Sequence, residues 1–128
     1  MACSGLALER SPLPEANPWR AITDPAERIR AGLSALYDWY ALNAELTSCV
    51  LRDIEHHRLT QEINALRTDP YFREYREVLE CGLVRAEQRA ALALALNFFT
   101  WRTLVRDNGL DRDAAVALMV RAVFCGGE

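Results

Sequence analysis

Acidic and imidazole side chains come together at one place in the sequence, where Asp53, Glu55, His56 and His57 lie within five residues. Side chains of these types can bind a metal ion or transfer protons during catalysis. Adjacent helical residues point about 100° apart, so His56 and His57 cannot bind one metal ion as a pair. Asp53 and His57 share a helical face, but no second cluster has ligand spacing. We therefore predict a polar helix end, with no metal and no cofactor.

Other catalytic and redox motifs are missing from the sequence. The four cysteines never approach the C-x-x-C spacing of a zinc knuckle or a redox pair. No serine stands in a Gly-x-Ser-x-Gly elbow, and no glycine-rich loop is available to hold phosphate. We therefore predict that the chain is not an enzyme. An enzyme whose site is assembled by the fold, with Asp53 or His57 taking part, is the alternative.

Composition indicates a globular, cytoplasmic domain. The chain has 128 residues, of which 51% are hydrophobic, enough to bury a core without a disulfide or a metal. It has no run of about 18 apolar residues and no secretory signal pattern. Its net charge is −3, and its 15 basic residues are all arginines spread among acidic residues from Arg10 to Arg121. We expect no direct nucleic-acid binding and no membrane association.

Prolines and capping residues divide the chain into an arm and a helical domain. Residues 1–22 contain three of the five prolines, so Ser11 to Trp19 is predicted to be an extended connector. Asp24-Pro25-Ala26-Glu27 has the pattern of a helix N-terminus with a capping box. Apolar residues at helical spacing predict four helices before residue 85, which start at Asp24, about Asn43, Leu59 and Asp69. Strict alternation never persists, so no strand is predicted.

Two further helices are predicted near the C-terminus. The first runs from about Arg85 to Asp107 and stops at Asn108-Gly109, and the second is capped by Asp111 and ends near Phe124. Each carries two apolar faces, whereas a helix at the surface of a monomer needs one. Such a pair suits a two-fold dimer joined by a four-helix bundle, although central helices of a monomer are the alternative. The predicted dimer-interface residues are Leu92, Leu96, Phe99, Thr103, Val116, Met119, Val120 and Val123.

Three stretches resemble parts of TetR-type transcriptional regulators. Residues 101–119, from Trp101-Arg102-Thr103-Leu104-Val105 through Asn108-Gly109-Leu110 to Ala114-Ala115-Val116-Ala117-Leu118-Met119, are similar to their last two helices. Residues 24–40 resemble the first long helix of their effector domain, and Ala2-Cys3-Ser4-Gly5 resembles the start of the helix that joins this domain to the DNA-binding head. No counterpart of the helix-turn-helix head is found, so DNA binding by this chain is not expected.

The resemblance implies an all-α, orthogonal bundle of five to six helices that binds an effector and forms a homodimer. Residues 1–22 would then be the remnant of the joining helix with its connector. Residues 23–128 would be the ligand-binding and dimerisation domain, in which the last two helices form the four-helix-bundle interface. A structural or interaction module that binds no ligand is the alternative.

The effector cavity of TetR-type regulators lies inside the helical bundle, where several polar-tipped aromatic residues of this chain are also expected. Such side chains line apolar cavities and provide a few directional hydrogen bonds. We expect a small lipophilic or aromatic effector, although plain core packing would account for the same pattern. The candidate ligand-binding residues, chosen by resemblance and helix face, are Tyr37, Tyr40, Cys49, Asp53, Tyr71, Tyr75, Leu79, Asn97, Phe98 and Trp101.

Overall fold

The computed structural model describes residues 12–56 and 58–125, without the side chains of residues 53–56, 60, 61, 64, 65 and 67. Within these residues the chain is all helical and contains no strand, so the predicted all-α class is confirmed. Six α-helices and one π-helical segment follow one another within the described residues. Their bounds are α1 Asn17–Arg20, α2 Pro25–His56, α3 Arg58–Leu79, α4 Ala86–Leu96, α5 Phe98–Trp101, the π-helical segment Arg102–Asp107, and α6 Arg112–Phe124.

Part of the predicted connector folds into the core. Helix α1 occupies residues that were expected to be extended, and Trp19 is buried there. The Trp19 ring lies 5.2 Å from that of Tyr75, and the Tyr75 hydroxyl donates a 2.6 Å hydrogen bond to the Pro14 carbonyl oxygen. Leu13 is only 3% exposed. Burial of apolar side chains therefore attaches residues 13–20 to the helical body.

Helix α2 begins where the capping pattern predicts. The Asp24 carboxylate accepts a 2.9 Å hydrogen bond from the Glu27 backbone N–H, which satisfies one of the free donors of the first turn. The two helices predicted from residue 24 to residue 57 form one element with a kink at Asn43, whose φ of −116° and ψ of 20° are not helical. The first half of α2 buries an apolar stripe at helical spacing against the core, comprising Ile29, Leu33, Leu36, Tyr37 and Tyr40.

Helix α3 also joins two segments that were predicted as separate helices. Pro70, expected in the first turn of the second helix, lies inside the observed helix. The C-terminal half of α3 is held by packing, because Tyr75, Val78 and Leu79 are buried in the core. Tertiary packing of this kind outweighs the local cost of an interior proline.

The predicted helix from Arg85 to Asp107 is broken at Asn97. Asn97 is extended, with a ψ of 137°, and its side chain accepts a 2.8 Å hydrogen bond from the Phe99 N–H to cap α5. The next segment, Arg102–Asp107, is π-helical, so its backbone hydrogen bonds join residues five apart instead of four. The predicted stop at Gly109 is confirmed by its φ of 74°, and the Asp111 side chain accepts a 2.8 Å bond from Ala114 N–H to cap α6.

Most of the predicted dimer-interface residues face the inside of the subunit instead. Helices α4 and α6 pack against each other, and α6 also packs against α2. Phe99 is 44% exposed and Thr103 is exposed. Six predicted residues are at most 6% exposed and are therefore corrected to core positions: Leu92, Leu96, Val116, Met119, Val120 and Val123. The break at Asn97 and the packing on α2 bury these faces within one subunit, so a second subunit is not needed to cover them.

Candidate functional site

An apolar cleft opens between the second half of α2, the middle of α3 and the joint between α4 and α5. Its volume is about 340 Å³, which is within the range of small-molecule sites. Aromatic and aliphatic side chains form most of its wall. The lining residues are Leu13, Trp39, Tyr40, Leu46, Thr47, Val50, Leu51, Thr68, Phe72, Arg76, Ala93, Leu96, Asn97, Phe98 and Phe99.

Tyr40 fixes the wall of the cleft at the joint between α4 and α5. Its hydroxyl donates a 2.6 Å hydrogen bond to the Leu96 carbonyl oxygen, and its ring meets that of Phe98 edge-on at 5.3 Å. Burial raises the pKa of Tyr40 far above its usual range, and the neighbouring Tyr37 and Tyr75 add to the shift. The phenol therefore stays neutral and acts as a hydrogen-bond donor and an apolar wall.

Thr47 lines the cleft, but its hydroxyl is buried and unsatisfied. Its Oγ1 is buried and has no hydrogen-bond partner among the described residues. A helical threonine commonly donates to the carbonyl four residues earlier, which here belongs to Asn43. The ψ of 20° at Asn43 turns that carbonyl away from its helical direction. The kink in α2 therefore leaves Thr47 Oγ1 without the helical acceptor that such a hydroxyl commonly uses.

One charged side chain lines the described part of the cleft, and it is already paired. The Arg76 guanidinium contacts the Glu80 carboxylate at 2.8 Å through Nε and at 2.7 Å through Nη2. Both side chains are partly exposed, so the pair lies at the rim of the cleft. The interior of the cleft thus offers hydroxyl and amide groups rather than a free charge.

Three of the ten predicted ligand-binding residues line the cleft, namely Tyr40, Asn97 and Phe98. Tyr71 and Cys49 are half-buried outside the lining, and the Asp53 side chain lies outside the described residues. The remaining four are corrected to the solid core, where each is at most 2% exposed: Tyr37, Tyr75, Leu79 and Trp101. Two of them use their hydroxyls internally, since Tyr37 donates to the Ala95 carbonyl and Tyr75 to the Pro14 carbonyl, each at 2.6 Å.

The sequence interpretation missed the cleft residues on the second half of α2 and on α3. Thr47, Val50 and Phe72 line the cleft but were not proposed as ligand contacts. A signal for Thr47 does exist in the sequence: a hydroxyl stands among the apolar residues Leu46, Val50 and Leu51, four positions after a helix-interrupting asparagine.

The described residues contain no group of three His, Cys, Asp or Glu side chains placed to hold a metal ion. His57 and the side chains of Glu55 and His56 lie outside the described residues, as does that of Asp53. Across the same part of the chain, no helix has both the length and the apolar character needed to cross a membrane.

Comparison of the chain with protein-family models, with curated proteins and with solved structures finds no match.

Proposed function

We propose that this chain is a ligand-sensing and dimerisation domain, comparable with the effector domain of TetR-type regulators, and that its ligand occupies the apolar cleft. The observation that carries the proposal is the cleft of about 340 Å³, whose wall is mostly aromatic and aliphatic. A solid structural core is expected to be close-packed, with few voids larger than a water molecule. A cleft of this size and apolar character is suited to a small molecule.

The position of the cleft supports a sensing role. Its wall combines Val50 from α2, Phe72 from α3 and Ala93 from α4 with Asn97 at the joint to α5. A ligand that contacts all of these elements can favour one arrangement of them over another. It shifts such an equilibrium only by the difference between its affinities for the two arrangements.

Dimerisation is proposed through a different face from the one predicted from the sequence. Leu94 on α4 and Leu118 on α6 are 59% and 37% exposed. Exposed alanines stand at intervals of four residues from them, with Ala86 and Ala90 before Leu94 and with Ala114 and Ala122 on either side of Leu118. Residues four apart share a helical face, so two adjacent helices each present an apolar stripe. We define these six residues as the outer face of α4 and α6.

A second copy of this chain is the proposed occupant of the outer face of α4 and α6. A two-fold axis would pair two such helices with two more in a four-helix bundle. Opposite charges lie next to the stripes, because Glu87 is exposed at the start of α4 and Arg121 near the end of α6. A two-fold arrangement allows each of these to approach its counterpart on the other subunit.

The cleft is tested by ligand-induced stabilisation. Thermal unfolding of the purified protein is measured against a panel of lipophilic and aromatic compounds. A bound compound should stabilise the fold by about 2.7 kcal/mol at a hundredfold excess over its dissociation constant. Ala93→Phe, which fills the cleft, should abolish this stabilisation, whereas Leu66→Phe, at an exposed residue of α3 outside the cleft lining, should retain it. If no compound gives saturable stabilisation, a structural module without a ligand is the better interpretation.

A further inference from the structure

Two arginines of the π-helical segment lie over aromatic rings of α5. The Arg102 Cζ atom is 4.7 Å from the centroid of the Phe99 ring and 6.0 Å from that of Phe98. The Arg106 Cζ atom is 5.6 Å from the centroid of the Trp101 ring. The Phe98 and Trp101 rings are themselves stacked, with centroids 5.5 Å apart. One aromatic cluster therefore supports both guanidinium groups.

This stacking leaves the hydrogen-bond donors of both guanidinium groups available. A guanidinium carries its five N–H donors in the plane of the group, so contact through its face does not use them. Among the described residues, neither Arg102 nor Arg106 forms a salt bridge. Both side chains are exposed. Two positioned positive charges can therefore bind an anion from outside the described part of the chain.

Exposed apolar side chains border the two arginines. Phe99, which lies under Arg102, is 44% exposed. Leu42 at the kink of α2 is 76% exposed, and it lines a hollow together with Arg106. Arginine and aromatic residues are enriched where proteins bind one another. We define Leu42, Phe99, Arg102 and Arg106 as the basic-aromatic patch.

We propose that the basic-aromatic patch binds an acidic amphipathic helix of another protein. Arg102 and Arg106 are four residues apart, and two carboxylates four residues apart on a partner helix have a similar spacing. Each guanidinium can form a bidentate pair with one of these carboxylates. An apolar side chain beside them would cover Leu42 and Phe99. The inference goes beyond the proposed function, because the patch shares only Phe99 with the cleft lining.

The chemistry of the patch favours a peptide over a nucleic acid. The chain has a net charge of −3, which opposes association with a long polyanion, whereas a short helix interacts mainly with the local charges. The aliphatic Leu42 side chain offers no ring on which a base could stack, but it can be covered by an aliphatic side chain of a peptide.

Three peptides test the charge of the partner. Each is an alanine-rich helix of about 18 residues, since shorter isolated helices are marginal in water. Each carries one leucine and a pair of glutamates, glutamines or lysines four residues apart. Fluorescence anisotropy of the labelled peptides measures their dissociation constants with the wild-type protein at low salt. We expect the glutamate peptide to bind about three- to thirtyfold more tightly than the glutamine peptide. The lysine peptide should bind most weakly, and added salt should reduce these differences.

Variants of the two arginines connect this preference to the patch. Arg102→Gln and Arg106→Gln should each weaken binding of the glutamate peptide about two- to fivefold, and the double variant should bind the glutamate and glutamine peptides equally. Arg102→Lys and Arg106→Lys keep the charge but lose the planar donors and the stacking, so each should bind the glutamate peptide more weakly than wild type. Arg52→Gln removes the same charge at an exposed position of α2 outside the patch, and it should behave as wild type.

Several outcomes would overturn the proposal. They include equal binding of the glutamate and glutamine peptides to the wild-type protein, no binding of either, and a preference that persists in the double variant. Full affinity of both lysine variants would overturn the bidentate geometry. Tighter binding of single-stranded oligothymidine than of the glutamate peptide would reassign the patch to nucleic acid. Loss of self-association in the double variant would reassign it to a second copy of this chain.

The peptide measurements are independent of the proposed function. Compounds that bind the cleft are detected by thermal stabilisation, and the substituted arginines are outside the cleft lining. A protein that binds the glutamate peptide but no compound would retain the patch and lose the ligand-sensing role. A protein that binds a compound but shows no preference for the glutamate peptide would retain the sensing role and lose the patch.

Discussion

The Tyr40 hydroxyl donates a 2.6 Å hydrogen bond to the carbonyl oxygen of Leu96, the last residue of α4. Two neighbouring carbonyls are satisfied in the same way. Tyr37 donates to Ala95, and the Thr100 hydroxyl donates to Leu94, each at 2.6 Å. In a continuous helix, carbonyls at these positions would accept from backbone N–H groups four residues later. Side chains therefore replace the helical bonds that the break at Asn97 removes.

Removal of the Tyr40 hydroxyl should destabilise the fold, although the substitution removes only one oxygen atom. Tyr40→Phe leaves the buried Leu96 carbonyl without that donor, so we expect the free energy of unfolding to fall by about 1–3 kcal/mol. Urea unfolding monitored by circular dichroism measures the change. Tyr71→Phe is the control, because the half-buried Tyr71 hydroxyl makes no hydrogen bond in the described part of the chain, and its loss should change the stability little. Equal effects of the two substitutions would contradict the role assigned to Tyr40.

The buried tyrosines also predict how stability depends on pH. Burial raises the pKa values of Tyr37, Tyr40 and Tyr75 above their ordinary value. Above pH about 10 the unfolded chain releases these protons while the folded chain retains them. Their contribution is thus fully present below pH 10 and is lost as the pH rises from there towards the folded pKa values. Each tyrosine should lower the free energy of unfolding by about 1.4 kcal/mol per pH unit in that range.

Equilibrium denaturation at several pH values above and below 10 measures this slope. Tyr37→Phe and Tyr40→Phe should each reduce the steepness of the decline by about a third, because one of three titrating groups is removed. A free energy of unfolding that stays constant up to pH 12 would show that these phenols ionise as easily in the folded chain as in the unfolded one.

Local sequence signals determined the starts and ends of several helices. Asp24 and Asp111 cap helices at the predicted positions, and Gly109 adopts the left-handed conformation expected after the helix that ends near Asp107. These features depend on residues at most a few positions apart, so their chemistry is visible in the sequence. The buried stripe of α2 was also predictable, since it needs only helical periodicity.

Features that depend on distant contacts could not be predicted in this way. The break at Asn97 contains neither glycine nor proline, and the tyrosines that satisfy its carbonyls lie 56 and 58 residues earlier in the chain. The cleft follows from that break and from the kink at Asn43, and of the candidate ligand-binding residues only Tyr40, Asn97 and Phe98 line it. Periodicity likewise identified two apolar faces on the last helices, but it could not tell which face packs on α2.

The outer face of α4 and α6 leads to the last prediction, which concerns self-association. Sedimentation equilibrium of the wild-type protein should give the mass of a homodimer, with the apolar stripes around Leu94 and Leu118 buried between the subunits. Leu94→Glu or Leu118→Glu would place two copies of an unpaired charge in a two-fold interface. We expect either substitution to raise the dissociation constant by about a hundredfold or more and to yield monomers.

A matched substitution distinguishes this face from general surface effects. Leu66 on α3 is 80% exposed, which is more than Leu94 or Leu118, and it is outside the proposed interface, so Leu66→Glu should leave the dimer intact. Met119 is only 6% exposed, and Met119→Glu should unfold the subunit rather than merely separate two folded ones. Folded monomers from Leu118→Glu, together with dimers from Leu66→Glu, would assign the interface to α4 and α6. A wild-type protein that remains monomeric at high concentration would leave this face without a second copy, and ligand binding in the cleft would then have to act within one subunit.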